Sequence, residues 1–151
     1  MLKAEPLTYE EVQTYSNGTG AQTFDYNGVG GMQYHSESSN YETSYVKTTV
    51  DAWKASKAPA AREARLLTYD ELIDDLGYNQ ANWNASYWTV NTEFTPNWVY
   101  NNNYSYWTMS SKEDSESEVW CVGSDGSLGN YDVSGKRPVR PVITILKSEL
   151  N

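Results

Sequence analysis

Few residues of this chain are placed for acid–base or covalent chemistry. His35 is the only histidine, so a histidine metal site or a Ser-His-Asp triad would depend on it alone. It sits in the polar segment Gln33–Asn40, which reads as a solvated loop. Cys121 is the only cysteine, which forbids an internal disulfide and a zinc cluster. It lies in an apolar run, where a cysteine acts as a small, inert hydrophobe. A reactive thiol needs a basic neighbour, and none is close in sequence. Asp70, Glu71, Asp74 and Asp75 crowd the first turns of one helix and complement its dipole. The run Ser111–Glu118 is acidic and serine-rich without EF-hand spacing, so it reads as a solvated loop and no metal is expected. No phosphate-cradling glycine loop, nucleophile elbow, HExxH or CxxC occurs. The expectation is a protein that is not an enzyme and carries no cofactor. Arg140, between Pro138-Val139 and Pro141-Val142, calls for a carboxylate or carbonyl partner; a structural buried salt bridge is expected over a ligand anion anchor, and the helix capped at Thr68 could supply the carboxylate.

Contact chemistry is better represented. The 151 residues hold 13 Tyr and 6 Trp but only 2 Phe. Tyr and Trp join an apolar body to a polar tip, which suits a surface that touches a partner and stays soluble. The formal net charge of -9 argues against nucleic acid or anionic lipid as that partner. No stretch is long and apolar enough for a transmembrane helix. No basic region followed by an apolar one opens the chain. Either the protein is intracellular or virion-borne, or an anchor lies outside this sequence.

The elements that must position these residues follow from local patterns. Leu7-Thr8-Tyr9-Glu10-Glu11-Val12 and Leu67-Thr68-Tyr69-Asp70-Glu71-Leu72 both carry Thr-x-x-Glu, the capping box, with apolar residues spaced for a staple across it. The first helix should end near Asn17-Gly18, and the other should run to Leu76 with Gly77 as its stop. A further helix is expected from Ser39 or Asn40 to about Ser56, with Tyr45 or Val46, Val50 and Trp53 on its buried stripe. Gly18–Ser39 reads as loop with one short strand, and Arg62–Leu67 as a short extended piece. Asn79–Asn103 sets aromatics among asparagines, which disfavour strand interiors. It reads as long ordered loops with a strand near Tyr87–Val90. The C-terminal third is strand-rich. Alternation puts Trp120 and Val122 on one face of a strand and Val119 and Cys121 on the other. Gly123-Ser124-Asp125-Gly126 is a hairpin turn. Val139–Leu146 reads as a strand buried on both faces, with an entry that is irregular or lies at an edge because Pro138 and Pro141 cannot donate to a ladder. Trp53, Trp107, Trp120, Val122, Val142 and Ile143 should be largely buried.

These blocks also carry a resemblance. Tyr41–Trp53 (YETSYVKTTVDAW), Ala64–Tyr78 (ARLLTYDELIDDLGY), Asn91–Ser111, Val119–Leu128 (VWCVGSDGSL) and Val139–Ile145 (VRPVITI) together resemble the C-type lectin-like domains of the formylglycine-generating-enzyme-like branch. These include C-terminal ligand-binding domains of microbial surface proteins and the variable proteins diversified by retroelements in phage, bacteria and archaea. The resemblance implies an α+β fold: a single domain over 1–151, two main helices packed on a small twisted, mostly antiparallel sheet, and long ordered loops. It implies a variable-type binding surface within about 100–137. There the framework Val119, Trp120, Val122, Gly126, Leu128 and Val133 is interleaved with Cys121, Gly123, Ser124, Asp125, Ser127, Gly129, Asn130, Tyr131 and Asp132. Asn101, Asn103 and Tyr104 extend the same surface. Thr95-Pro96-Asn97 and Trp83-Asn84-Ala85 do not match the calcium-lectin motifs, and a single cysteine departs from the paired cysteines of the enzymes. The implied function is recognition of a protein or cell-surface ligand, at a cell surface or on a virion. The alternative is a structural subunit of a surface filament or virion.

Overall fold

The computed structural model describes residues 5–24, 28–81, 84–100 and 104–150. The first capping box forms as its spacing requires. Thr8 Oγ1 accepts from the Glu11 amide at 3.2 Å, and Glu11 Oε2 accepts from the Thr8 amide at 3.0 Å. Helix α1 (Tyr9–Ser16) follows and ends on Asn17 in the left-handed region. Leu7 and Val12, on either side of the cap, are both buried. Helix α2 (Tyr45–Lys57) starts later than expected. Asn40 caps a separate 3-10 turn over Tyr41–Thr43, and Ser44 then caps α2 by accepting from the Lys47 amide at 2.9 Å. Two good capping residues four apart in sequence divide one expected helix into a turn and a helix. Val46, Thr49 and Val50 face the core, and Trp53 is only partly covered.

The second capping box also forms, between Thr68 and Glu71, but the helix it opens is a single widened π turn, Glu71–Asp75. The Leu76 amide reaches back to the Glu71 carbonyl, and Gly77, at φ 80°, ends the turn. The two main helices are therefore α1 and α2.

Among the described residues all strand pairs are antiparallel and form three sheets. In one, β2 (Gly30–Gln33) lies between β1 (Thr23–Phe24) and β9 (Lys136–Pro138). In another, β3 (Glu63–Arg65) pairs with β10 (Val142–Thr144). The largest has the order β4-β5-β8-β7-β6. It comprises β4 (Asn79–Ala81), β5 (Asn84–Thr89), β6 (Tyr106–Ser111), β7 (Glu118–Val122) and β8 (Leu128–Asp132). The fold is α+β with antiparallel sheets.

Two expectations are corrected by this topology. Val139–Leu146 is not one strand. Pro138 and Pro141 interrupt the ladder, and the chain passes from the sheet of β2 to the sheet of β3 between them. The Val139 carbonyl is used instead by the Leu7 amide at 2.9 Å. Val142 is buried, Ile143 and Ile145 are half-buried, and Leu146 is exposed. The asparagine-rich segment, expected as long loops with a strand near Tyr87–Val90, has that strand as β5 and pairs it with a further strand, β4, where a loop was expected. Asparagine is tolerated in β4 because it is an edge strand with Asn79 and Gln80 exposed to water.

The core lies on both faces of β6 and β7. On one face Trp107, Val119 and Cys121 join Tyr34, Met32, Val46, Val50 and Leu66. On the other Tyr106 and Val122 join Leu128, Leu67, Leu72, Tyr78, Val99 and Val142. Trp107 is fully buried; its indole donates to the Met32 carbonyl at 3.0 Å, and its ring meets Tyr34 edge-on at 5.3 Å.

Candidate binding surface

The hairpin between β7 and β8 is built from its turn outward. The Gly123 amide donates to the Ser127 carbonyl at 2.7 Å, and the Gly126 amide to the Gly123 carbonyl at 2.9 Å. Gly126 holds φ at 84°, and a Cβ there would stand 2.7 Å from both Tyr100 Cβ and Val90 Cγ1. Tyr78 donates its hydroxyl hydrogen to the Gly126 carbonyl at 2.5 Å and anchors the turn to the core. Asp125 Oδ1 accepts from the Ser127 hydroxyl at 2.6 Å and the Ser127 amide at 2.9 Å. Those bonds hold its carboxyl below the usual range. Ser124 and Asp125 are exposed, while Gly123 is buried and Ser127 is half-buried beside the Tyr87 hydroxyl at 3.5 Å.

The remaining expected site residues divide by face. Trp120 pairs with Asn130, and Glu118 with Asp132, so these four side chains share one face of the sheet. Asn130 donates to Glu118 Oε1 at 2.6 Å, and Glu118 also meets Lys112 at 3.3 Å. Asp132 is exposed, and its Oδ1 accepts from the Ser134 amide and hydroxyl. On the opposite face Val119 pairs with Tyr131 and Cys121 with Gly129. Tyr131 is exposed and carries the Arg137 guanidinium 3.8 Å from its ring centroid. Tyr104 meets Ser124 across a separate open cleft of about 300 Å³, also lined by Thr23, Ser105 and Lys136. Asn101 and Asn103 lie outside the described residues.

Cys121 corrects the expected division of β7 into a core face and a free face. It is fully buried beside Val119 and Trp107, because the helices and β2 cover this face, while Glu118 and Trp120 on the other are only half-buried. It therefore makes no ligand contact. A basic neighbour does exist in space. Burial pushes the thiol far up, and the positive charge of nearby Arg137 opposes that only in part; the thiol itself donates to the Val119 carbonyl at 3.8 Å. The result is a protonated, inert thiol.

Arg140 is corrected as well. It is buried, but no carboxylate pairs with it among the described residues. It donates to the Trp98 carbonyl and to the Tyr104 hydroxyl, with its guanidinium 4.6 Å from the Tyr106 ring centroid. The Thr68 turn gives its carboxylate to Arg65 instead, with Arg65 Nη2 2.5 Å from Glu71 Oε1. His35 is a turn stabiliser: its Nδ1 accepts from the Glu37 and Ser38 amides at 2.9 and 3.0 Å, and its ring stacks on Tyr45.

Sequence reasoning missed an aromatic group on the Trp120 face. Trp120, expected in the core, is only half-buried. Its ring lies 4.8 Å from Tyr69, and Tyr69 meets Trp88 edge-on at 6.0 Å. Tyr69 and Trp120 line an open cleft of about 330 Å³ with Asp70, Ser110, Ser111 and Glu113. Burial raises the Tyr69 hydroxyl's pKa, and the nearby Asp70 and Glu113 charges raise it further. One signal was present in the sequence. The face that begins with charged Glu118 and ends with Val122 must cross from water to core at Trp120.

Among the described residues no group of three or more His, Cys, Asp or Glu is arranged to hold a metal ion. The chain matches no protein-family model, no curated protein sequence and no solved structure.

Proposed function

We propose that this chain is a ligand-binding module on a C-type lectin-like scaffold, with the β7–β8 hairpin and the adjoining Trp120 face as its recognition surface. One observation carries this reading. The hairpin is anchored by backbone bonds and by core residues of both faces, while Ser124, Asp125, Tyr131 and Asp132 project from it into water. Such side chains can be exchanged at little cost to the core. Tyrosine adds rigid contact area, and Ser, Asn and Asp add adaptable hydrogen bonding, the mixture that suits recognition of a protein surface.

The scaffold part of the reading is supported by the pairing of N-terminal β2 with C-terminal β9 and by the antiparallel sheet that holds the hairpin. The variable-protein part is supported by polar, exchangeable positions alternating with Val119, Val122, Leu128 and Val133, all buried. The site is narrower than the resemblance implies, because Cys121 belongs to the core, and it has two sides, with exposed Tyr131 on the face opposite Asn130. The gene's surroundings test the proposal. Diversification by a retroelement requires a reverse transcriptase gene nearby and an imperfect repeat of the Trp107–Arg140 coding region. Finding neither would remove the diversified part of the reading and leave a fixed-specificity binding module.

A further inference from the structure

The cleft beside Trp120 has a definite chemistry. Its wall is the paired rings of Tyr69 and Trp120, buttressed by Trp88. Its rim carries Asp70 and Glu113, both exposed. Among the described residues neither carboxylate has an ion-pair partner. The local cation Lys112 is held by Glu118 at 3.3 Å and does not neutralise them. An aromatic face attracts cations through its quadrupole. Two free carboxylates at its edge add charge of the sign that a cation needs, within a chain of formal net charge -9. The Ser110 hydroxyl accepts from the Tyr69 amide at 2.9 Å, which fixes the turn bearing Tyr69 and Asp70 against β6.

We propose that this cleft receives a basic side chain, arginine or lysine, presented by a partner polypeptide. The proposal rests on the reading of the chain as a binding module and names the chemistry of its partner. The cleft is open to solvent, which suits one side chain of a larger surface better than an enclosed small molecule. Asn130, Glu118 and Asp132 continue along the same face of the hairpin, away from buried Val122, and would meet the polypeptide on that side of the basic side chain. Arginine fits best, because a planar guanidinium stacks on an aromatic ring while its edge donates to a carboxylate.

Titration of the isotope-labelled protein with Nα-acetyl-arginine amide and Nα-acetyl-lysine amide, followed by indole and backbone amide resonances, tests this directly. The Trp120 indole, assigned with a Trp120→Phe variant, should shift saturably with a dissociation constant in the millimolar range. Uncharged Nα-acetyl-citrulline amide should leave it unmoved. The Asp70→Asn, Glu113→Gln double variant, altered only at exposed positions, should keep the native spectrum and weaken binding about tenfold or more. Absence of any saturable shift, or an equal shift with citrulline, overturns the proposal. A shift with methyl glycosides and none with the cations overturns it in favour of a sugar platform, and would leave the binding-module reading standing. The gene-neighbourhood test is independent of every one of these results.

Discussion

Cys121 and Ser124 belong to one hairpin and should respond oppositely to the same replacement. Cys121→Tyr forces a ring into the layer already filled by Trp107, Tyr34 and Val119. Overpacking of that kind costs about 3 kcal/mol. Ser124→Tyr adds the same ring in water and should change stability by less than about 0.5 kcal/mol. Urea denaturation of the two variants compares them, and equal costs would contradict the assignment of Cys121 to the core. Glu71 makes a second residue-level prediction. Burial alone would raise its carboxyl pKa, but the Arg65 guanidinium and the Thr68 amide outweigh burial and hold it below the usual range. A depressed folded pKa gives stability that is complete above the unfolded value of about 4.3. That stability is lost as pH falls from there through the folded pKa. Glu71→Gln should therefore be destabilised by about 2 kcal/mol at neutral pH, with the gap to the parent protein closing below pH ~4. Melting curves across that window give the result; a gap that persists unchanged into acid would show that packing, not the ion pair, is lost.

At the scale of elements, sequence signals were readable where they are local. Thr8 and Thr68 each sit three residues before the glutamate they bond, so both capping boxes could be read directly. The hairpin turn was equally plain, because a Gly-Ser-Asp-Gly run has few other uses. What could not be read depends on residues distant in sequence. A period of two divides β7 into faces but does not say which face the rest of the chain covers, and it is the Val119–Cys121 face that is covered in full. Arg140 needed a partner, but the choice between Glu71 and the Trp98 carbonyl is made by the third dimension, and Arg65 claims Glu71 first. The strand near Tyr87–Val90 is legible from its aromatic and β-branched residues, but its partner β4 is not, because Asn79 and Gln80 lie at a sheet edge where water replaces the apolar pattern. The turn itself gives a sharp prediction. Gly126→Ala must strain a positive φ and drive a methyl group into Tyr100 and Val90. It should cost more than about 1 kcal/mol, in a position where a surface turn without those neighbours would lose less. Thermal melts of Gly126→Ala against Ser124→Ala separate the two cases.

For the whole molecule, the account rests on a division of labour within the C-terminal third. Trp107, Val119, Cys121, Val122, Leu128 and Val133 hold the scaffold, while Ser124, Asp125, Asn130, Tyr131 and Asp132 are the residues proposed to meet a partner. If selection or directed mutation acts on recognition, exchange must concentrate at the second group and spare the first. Sequencing the Trp107–Arg140 coding region from independent lineages of the same source is the most direct measurement of this. The account predicts replacements clustered at Ser124, Asp125, Asn130, Tyr131 and Asp132, among Asn, Tyr, Ser, Asp and Gly, with Cys121 and its buried neighbours unchanged. Replacements spread evenly across the hairpin, or falling on Cys121 and Val119 as often as on Ser124 and Asn130, would contradict it.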